Sequence, residues 1–188
     1  MKQTSDKREQ SINLLTDTAL TLFSEQGYDA TSIRAIAQRA GISLGLMYNY
    51  FKSKEDLLME ICKRSNADIV ASFEEVSPEW KQLPGIERHI RQTVKMLKEK
   101  EGFWKLMHGI RMQSAVVQKL LKEMQEQTTY IETQIKQNLI EAGIPFPDLE
   151  AKLLFASIDG MANHYLLHDH YPIDDVASLL IMKYKKQT

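Results

Sequence analysis

Apolar side chains recur at intervals of three and four residues along most of the chain, which is the spacing of amphipathic helices. The first run of this kind comprises Ile12, Leu15, Ala19, Leu22 and Phe23. Gly27 can end this helix, because glycine readily adopts the left-handed conformation of a C-terminal cap. A second, shorter run over 33–40 predicts another helix, with Thr31 placed to cap its start.

The helical pattern resumes after a break at Gly41. Ser43 can cap a third helix that runs through about Phe51. Ser53, with Asp56 three residues later, resembles a capping box and predicts the start of a longer fourth helix. Beyond the loop sequence VSPEWKQLPG, further helices are expected at about 85–100, 103–112, 114–142, 148–168 and 173–186. Because no segment shows the sustained alternation of a half-buried strand, we predict an all-α fold.

The third helix lies in AGISLGLMYNYFKSKEDLL, residues 40–58, where large side chains surround a glycine. At the angular spacing of a helix, Met47 and Phe51 share one face, whereas Gly45 and Asn49 lie on the opposite face. A glycine there weakens the helix by roughly 1 kcal/mol relative to alanine, but it allows the backbone to approach a surface such as a DNA major groove. A core role suits Met47 and Phe51 better than the residues of the polar face. Helix, glycine turn and helix together predict a helix-turn-helix.

Composition restricts the possible classes of protein. The chain has 188 residues, a net charge of -1 and one cysteine, so an internal disulfide is excluded. No apolar run approaches the roughly 20 residues of a membrane span, and the polar start MKQTSDKREQ is unlike a signal peptide. We therefore expect a cytoplasmic protein without a membrane partner.

The charges are nearly balanced within each part of the chain. Residues 1–64 carry nine Lys or Arg against eight Asp or Glu, and the remainder carries fifteen against seventeen. Any nucleic-acid site must therefore be local. Phosphate contacts would make binding there weaken steeply with salt.

The run ATSIRAIAQRAGISLGLMYNYFKSKEDLL, residues 30–58, resembles the N-terminal motif of the tetracycline-repressor (TetR) family of bacterial transcription regulators. The matching features are the start at Thr31, IAQRAGIS, Gly45 after Leu44, the cluster YNYF, and Lys54 at the opening of the next helix. The resemblance is specific over about 10–60, and beyond that it extends only to length and helical character.

The resemblance implies a DNA-binding domain over 1–54 and a ligand-binding and dimerisation domain over 55–188. It further implies a homodimer bound to a near-palindromic operator and released by a small-molecule inducer. In the first domain, Tyr48, Tyr50 and Lys54 offer donors to phosphate oxygens. The residues expected to face bases or the groove wall are Arg34, Ser43, Leu44, Gly45, Leu46 and Asn49.

Methionine and aromatic residues cluster where ligand cavities of this family are usually lined. Such side chains adapt to irregular apolar ligands, so a largely apolar inducer is expected. The same residues at helical spacing are also typical of an ordinary core, and this alternative stays open. The candidates are Met96, Phe103, Trp104, Met107, His108 and Met112, with Tyr130 and Phe155 as weaker ones.

Small and apolar residues of the last two helices are candidates for a subunit interface, because small side chains permit close helix approach. They would serve packing within one chain equally well. The candidates are Ala156, Ser157, Gly160, Val176, Leu179 and Leu180.

The sequence also allows two other interpretations. His164 and His168, four residues apart, have a spacing that suits a transition metal, but histidines near a helix C-terminus also complement its dipole, and we predict no metal site. The alternative to a regulator is an all-α small-molecule or lipid-binding protein, or an enzyme, with no DNA role. The sequence lacks a phosphate-cradling glycine loop, an HExxH motif and a nucleophile elbow, so we predict neither an enzyme nor a cofactor.

Overall fold

The computed structural model describes residues 2–110 and 114–185. These residues form nine α-helices and a short 3-10 helix, with no strand among them, and the predicted all-α class is confirmed. The helices are α1 (Lys2–Gln26), α2 (Ile33–Arg39), α3 (Leu44–Tyr50), α4 (Lys54–Glu74), α5 (Gly85–Glu99), α6 (Glu101–Ile110), α7 (Ser114–Glu141), α8 (Pro147–Leu167) and α9 (Ile173–Tyr184). The 3-10 helix, Pro78–Trp80, lies in the loop between α4 and α5.

The start of α2 corrects one prediction. Its cap is Ser32, whose hydroxyl oxygen accepts a hydrogen bond from the Ala35 amide, and not Thr31. Thr31 is buried, and its hydroxyl donates to the carbonyl oxygen of Gly27 at 2.8 Å. Thr31 therefore ties the α1–α2 loop together, while its neighbour caps the helix.

The other predicted boundaries of the first four helices agree with the structure. Gly27 and Gly41 both have positive φ, 87° and 67°, as expected of residues that end helices. Ser53 accepts a hydrogen bond from the Asp56 amide, and the Asp56 carboxylate accepts one from the Lys52 amide. The capping box is thus present, with its return bond displaced by one residue.

The chain divides into two compact units. The first comprises Met1–Asp68 and Gly102–Gln118, and the second comprises Ile69–Glu101 and Lys119–Thr188. In the first unit, the core of the N-terminal helices is formed by Leu15, Ala19, Phe23, Ile36, Met47, Leu57 and Leu58.

In the second unit, α9 packs against α5 and α8. The buried Glu87 carboxylate of α5 accepts hydrogen bonds from Arg91 and forms an ion pair with Lys185, just after α9. Although burial acts to raise the pKa of Glu87, these two cations outweigh it and hold the pKa below its ordinary value. The pair of cations therefore stabilises a charge inside the helical packing. Within the described ranges, no helix combines the length and the apolar composition that crossing a bilayer requires.

Candidate functional site

Helices α2 and α3 form the predicted helix-turn-helix. Ile36 of α2 and Met47 of α3 are fully buried, and Phe51, which follows α3, is 6% exposed. The hydroxyl oxygen of Ser43 accepts the Leu46 amide at 3.2 Å and so caps α3. The inward face of α3 is thus fixed by packing and its start by a cap.

The opposite face of α3 is directed to solvent. Gly45 and Asn49 are exposed, and so are Leu46 and Tyr48, at 38% and 44%. A Cβ atom added at Gly45 would have no neighbour within 4 Å. No contact with the described residues therefore requires a glycine here, and the missing side chain leaves the helix backbone accessible from outside.

The remaining candidates for DNA contact surround this face. Arg34 is exposed on α2, and Ser43 is exposed at the start of α3. Leu44 and Tyr50 of α3 are half-buried. All of these candidates on α2 and α3 thus keep some or all of their side-chain surface accessible to solvent.

Lys54 differs from the other candidates, because its ammonium group has partners within the chain. It donates to the carbonyl oxygens of Tyr28 at 2.8 Å, Thr31 at 3.1 Å and Asp29 at 3.4 Å. It also lies 4.2 Å from the centre of the Tyr28 ring. The first residue of α4 is therefore tied to the α1–α2 loop.

The ligand candidates of α6 belong to the first compact unit. Phe103 and Met107 are buried, with the Met107 sulfur 3.8 Å from the sulfur of Cys62. Trp104 and His108 are partly exposed. The Trp104 indole N–H is buried and has no hydrogen-bond partner among the atoms described. Helix α6 therefore carries buried apolar side chains next to the Trp104 N–H, which has no partner among the described atoms.

The other ligand candidates lie elsewhere. Met96 is buried on α5, Phe155 is half-buried on α8, and Tyr130 is 45% exposed on α7, all in the second unit. Met112 lies outside the described residues.

A partly open cavity of about 100 Å³ lies in the second unit, between the end of α4, one face of α5 and one face of α7. Of the eight predicted ligand residues, Tyr130 lines it. Sequence reasoning missed the others, although four of them repeat at the spacing of one helix face on α5. The lining residues are Phe73, Val76, Gly85, Arg88, His89, Gln92, Tyr130, Ile131, Gln134 and Asn138.

His89 is the most buried titratable group of this cavity, at 8% exposure. Its ring packs against that of Phe73, with 5.1 Å between the ring centres. Burial, helped by the positive charge of Arg88, lowers the pKa of His89 to about 4. The imidazole is therefore neutral near pH 7 and can both donate and accept a hydrogen bond.

The predicted interface residues lie on accessible surfaces of α8 and α9. Ala156 and Leu179 are exposed, whereas Ser157, Gly160, Val176 and Leu180 are half-buried. The sequence prediction missed larger apolar side chains on the same helices, although their spacing along α8 is that of one helix face. These are Leu149, Leu153, Leu167 and Met182, which are 59–69% exposed.

The histidines at the end of α8 stack on one another. The ring centres of His164 and His168 are 5.2 Å apart, and that of Tyr171 is 5.7 Å from His164. Across the described parts of the chain, no group of three or more His, Cys, Asp or Glu side chains is arranged to hold a metal ion.

Comparison with known proteins supports the helix-turn-helix. Residues 15–61 match the model of the family "Bacterial regulatory proteins, tetR family". The HTH-type transcriptional regulator AcrR of Shigella flexneri is 38% identical over 68 residues, 36% of this chain and 32% of that protein. The HTH-type transcriptional repressor KstR2 of Rhodococcus jostii is 41% identical over 73 residues, 39% of this chain and 35% of that protein. The match thus spans about a third of these curated relatives.

The likeness in fold extends over nearly the whole chain. A transcriptional regulator from Rhodococcus sp. RHA1 superposes with a TM-score of 0.77 at 21% identity, covering 92% of this chain and 93% of that one. The sequence match lies on the helix-turn-helix, and the structural match includes the helices that follow it. Residues 15–61 are thus similar to the TetR family of bacterial regulatory proteins, and the fold of nearly the whole chain is similar to that of a solved transcriptional regulator.

Proposed function

We propose that this protein is a non-enzymatic, DNA-binding transcription regulator that represses by occupying a near-palindromic operator. The observation that carries the proposal is the outer face of α3, where a Cβ atom at Gly45 would meet no described residue within 4 Å and Asn49 is exposed. A glycine inside a helix weakens it, and α3 is the second helix of a helix-turn-helix, where close approach to a major groove requires a small residue. The similarity to a transcriptional repressor supports the direction of regulation.

Contacts in the groove divide into two kinds. Tyr48 and Tyr50 offer hydroxyl donors to phosphates and so set the register of α3. Leu44, Gly45, Leu46 and Asn49 face base edges or the groove wall, with Arg34 and Ser43 at the ends of the surface. Lys54 acts first by holding the α1–α2 loop, and its charge adds attraction to the nearby DNA backbone.

The regulator is a homodimer whose two α3 helices enter successive major grooves, about 34–36 Å apart. The support is the accessible apolar surface of α8 and α9, which includes Leu153 and Leu179 and has Gly160 where a second helix can come close. Residues 1–54 serve as the DNA-binding domain and 55–188 as the ligand-binding and dimerisation domain. A regulator of this kind works in the cytoplasm, where the DNA is accessible.

A largely apolar small molecule releases the operator by favouring a form of the dimer that does not bind DNA. For its site, Trp104 of α6 offers an indole N–H without a partner among the described atoms, beside the buried ring of Phe103. Apolar compounds that bind there should quench Trp104 fluorescence and release operator DNA over the same concentration range. A Trp104→Phe variant, which keeps Trp80 as a fluorophore, is the control. Quenching that persists unchanged in this variant would place the ligand elsewhere.

The test of the DNA role is selection of bound sequences from a random DNA pool. We expect an inverted repeat whose half-sites are separated by one helical turn, and retention on heparin that is lost at modest salt. A pool that yields no enriched sequence would overturn the proposal and favour a small-molecule-binding protein without a DNA role.

A further inference from the structure

The cavity of the second unit is built from two facing helix surfaces. Gly85, Arg88, His89 and Gln92 follow one face of α5, and Tyr130, Ile131, Gln134 and Asn138 follow one face of α7. Gly85 allows the close approach of the two helices, because a Cβ atom at this position would overlap the Asn138 side chain. The cavity between α5 and α7 thus depends on a glycine at position 85 opposite Asn138.

Among the described residues that line this cavity, the charge has one sign. Arg88 contributes a guanidinium group, and none of these residues is Asp or Glu. In the part of the chain that the structure describes, Arg88 makes no ion pair, although its neighbours on α5, Arg91 and Lys95, each have one. A guanidinium has five N–H donors in a planar fork that matches a carboxylate.

The other polar groups suit the same ligand. The phenol of Tyr130 and the amides of Gln134 and Asn138 can donate hydrogen bonds to an anion. His89 stays neutral, so it adds a donor without repelling Arg88. Phe73, Val76 and Ile131 form an apolar part of the wall, where a short hydrocarbon chain would leave water.

We propose that this cavity binds a compact monocarboxylate, with its carboxylate on Arg88 and its hydrocarbon part against Phe73, Val76 and Ile131. A cavity of about 150 Å³ holds benzene, which has six heavy atoms, and this one measures about 100 Å³ but is partly open. Butyrate also has six heavy atoms, so an acid of about four carbons is the upper limit, with one end at the opening. The regulatory role of this ligand rests on the function proposed above, whereas its binding does not. Because the cavity lies in the second unit and Trp104 in the first, this acid is a second ligand, distinct from the apolar inducer proposed at Trp104.

The experiment compares butyrate with butyramide, which has the same shape and no charge, by calorimetry on the full chain. We expect butyrate to bind at least tenfold more tightly than butyramide. Arg88→Gln should reduce this ratio to near one, because it removes the guanidinium. Lys95→Gln, which removes one positive charge from the same helix outside the cavity, should leave the ratio unchanged. Melting curves of both variants establish that they are folded.

Other results would contradict the proposed site. Equal affinities for butyrate and butyramide in the wild type, or equal loss of discrimination in both variants, would overturn the proposed site. So would the absence of binding by every straight-chain acid from acetate to hexanoate. Operator release is measured separately, by fluorescence polarisation of labelled DNA. Butyrate that binds through Arg88 without changing DNA affinity would leave the site intact and reject its regulatory role.

Discussion

The ammonium group of Lys54 donates to the carbonyl oxygen of Tyr28 at 2.8 Å and lies 4.2 Å from the centre of the same residue's ring. One side chain at the start of α4 thus holds both the backbone and the ring of the α1–α2 loop. Because Thr31 in this loop accepts a further bond from Lys54, the position of α2 depends on the same contact. Lys54 therefore links the scaffold to the surface proposed for DNA binding.

Lys54→Gln should destabilise the protein by about 1.5–3 kcal/mol, the range for hydrogen bonds to a charged group. It should also weaken DNA binding for all DNA sequences alike, since the hydrogen bonds to the α1–α2 loop and one positive charge are lost together. Urea unfolding and DNA titration measure the two effects. Lys52 provides the matched control, because its ammonium group is exposed and donates to the Tyr48 carbonyl oxygen. Lys52→Gln should leave stability nearly unchanged. A Lys54→Gln protein with unchanged stability would show that the bonds to the loop contribute nothing.

Gly45→Ala should change stability and DNA affinity in opposite directions. Alanine is the better helix former by up to about 1 kcal/mol, and its Cβ atom meets nothing within the chain, so the variant should be slightly more stable. Its operator affinity should fall, because the methyl group occupies the gap between helix and groove. Gly45→Arg should abolish binding or change the preferred sequence.

Gly109 provides the control for this experiment. It lies in α6, and a Cβ atom there also has no neighbour within 4 Å. Gly109→Ala should raise stability without affecting DNA. If Gly45→Arg kept the same operator affinity and preference, α3 would not lie in the groove.

The double substitution Leu153→Lys, Leu179→Lys should convert a dimer into monomers that still fold, because both side chains are more than half exposed in the single chain. Gly160→Trp should have the same effect by blocking close helix approach. Sedimentation should give a wild-type mass near twice 21.7 kDa and a variant mass near 21.7 kDa. Leu14→Lys, at a similarly exposed apolar position of α1, should remain dimeric. A wild-type protein that stays monomeric at all concentrations would exclude this interface.

Stability should fall as the pH drops below about 6.5, because of His89. Its pKa is about 4 in the folded protein and 6.5 in the unfolded chain, so between these values only the unfolded chain binds the proton. The loss should reach about 2 kcal/mol between pH 7.5 and pH 5, and about 3 kcal/mol once the pH is below 4.

Urea unfolding at several pH values checks this, with His89→Gln as the comparison. The lowered pKa of Glu87 adds a separate loss, because its contribution is present above about 4.5, its ordinary pKa, and disappears in more acidic solution. The difference between wild type and His89→Gln isolates the histidine. The charged group that lines the cavity beside it is Arg88, which remains cationic throughout this range. A pH dependence that is identical in both proteins would contradict the burial of a neutral imidazole.

The sequence predicted most helix boundaries because they follow local rules. Ser43 and Gly27 act through their own backbone neighbours, and such effects are visible in a short window. Thr31 and Ser32 were harder to distinguish, since both side chains can cap a helix. The choice depends on the burial of Thr31 within the α1–α2 loop, where its hydroxyl donates to the Gly27 carbonyl, and burial is a tertiary property.

The cavity could not be predicted in this way. Arg88 and His89 meet Gln134 and Asn138 from more than 40 residues away, and each of these residues alone resembles ordinary helix surface. Methionine and aromatic residues were the ligand-site candidates predicted from the sequence. Two of them on α6, Phe103 and Met107, are buried. On α8 it favoured small residues and so missed Leu149 and Leu153, because exposure of a leucine cannot be read from its identity.

The open space above Gly45 also bears on how such a regulator can change during evolution. The stability of the fold depends little on the side chains of the outer face of α3, because Met47 and the cap at Ser43 hold the helix in place. Substitutions at Gly45, Leu46 and Asn49 can therefore accumulate without unfolding the domain. A duplicated copy of the gene could acquire a new operator through these positions, while selection for a folded protein continued to act on the inward face alone.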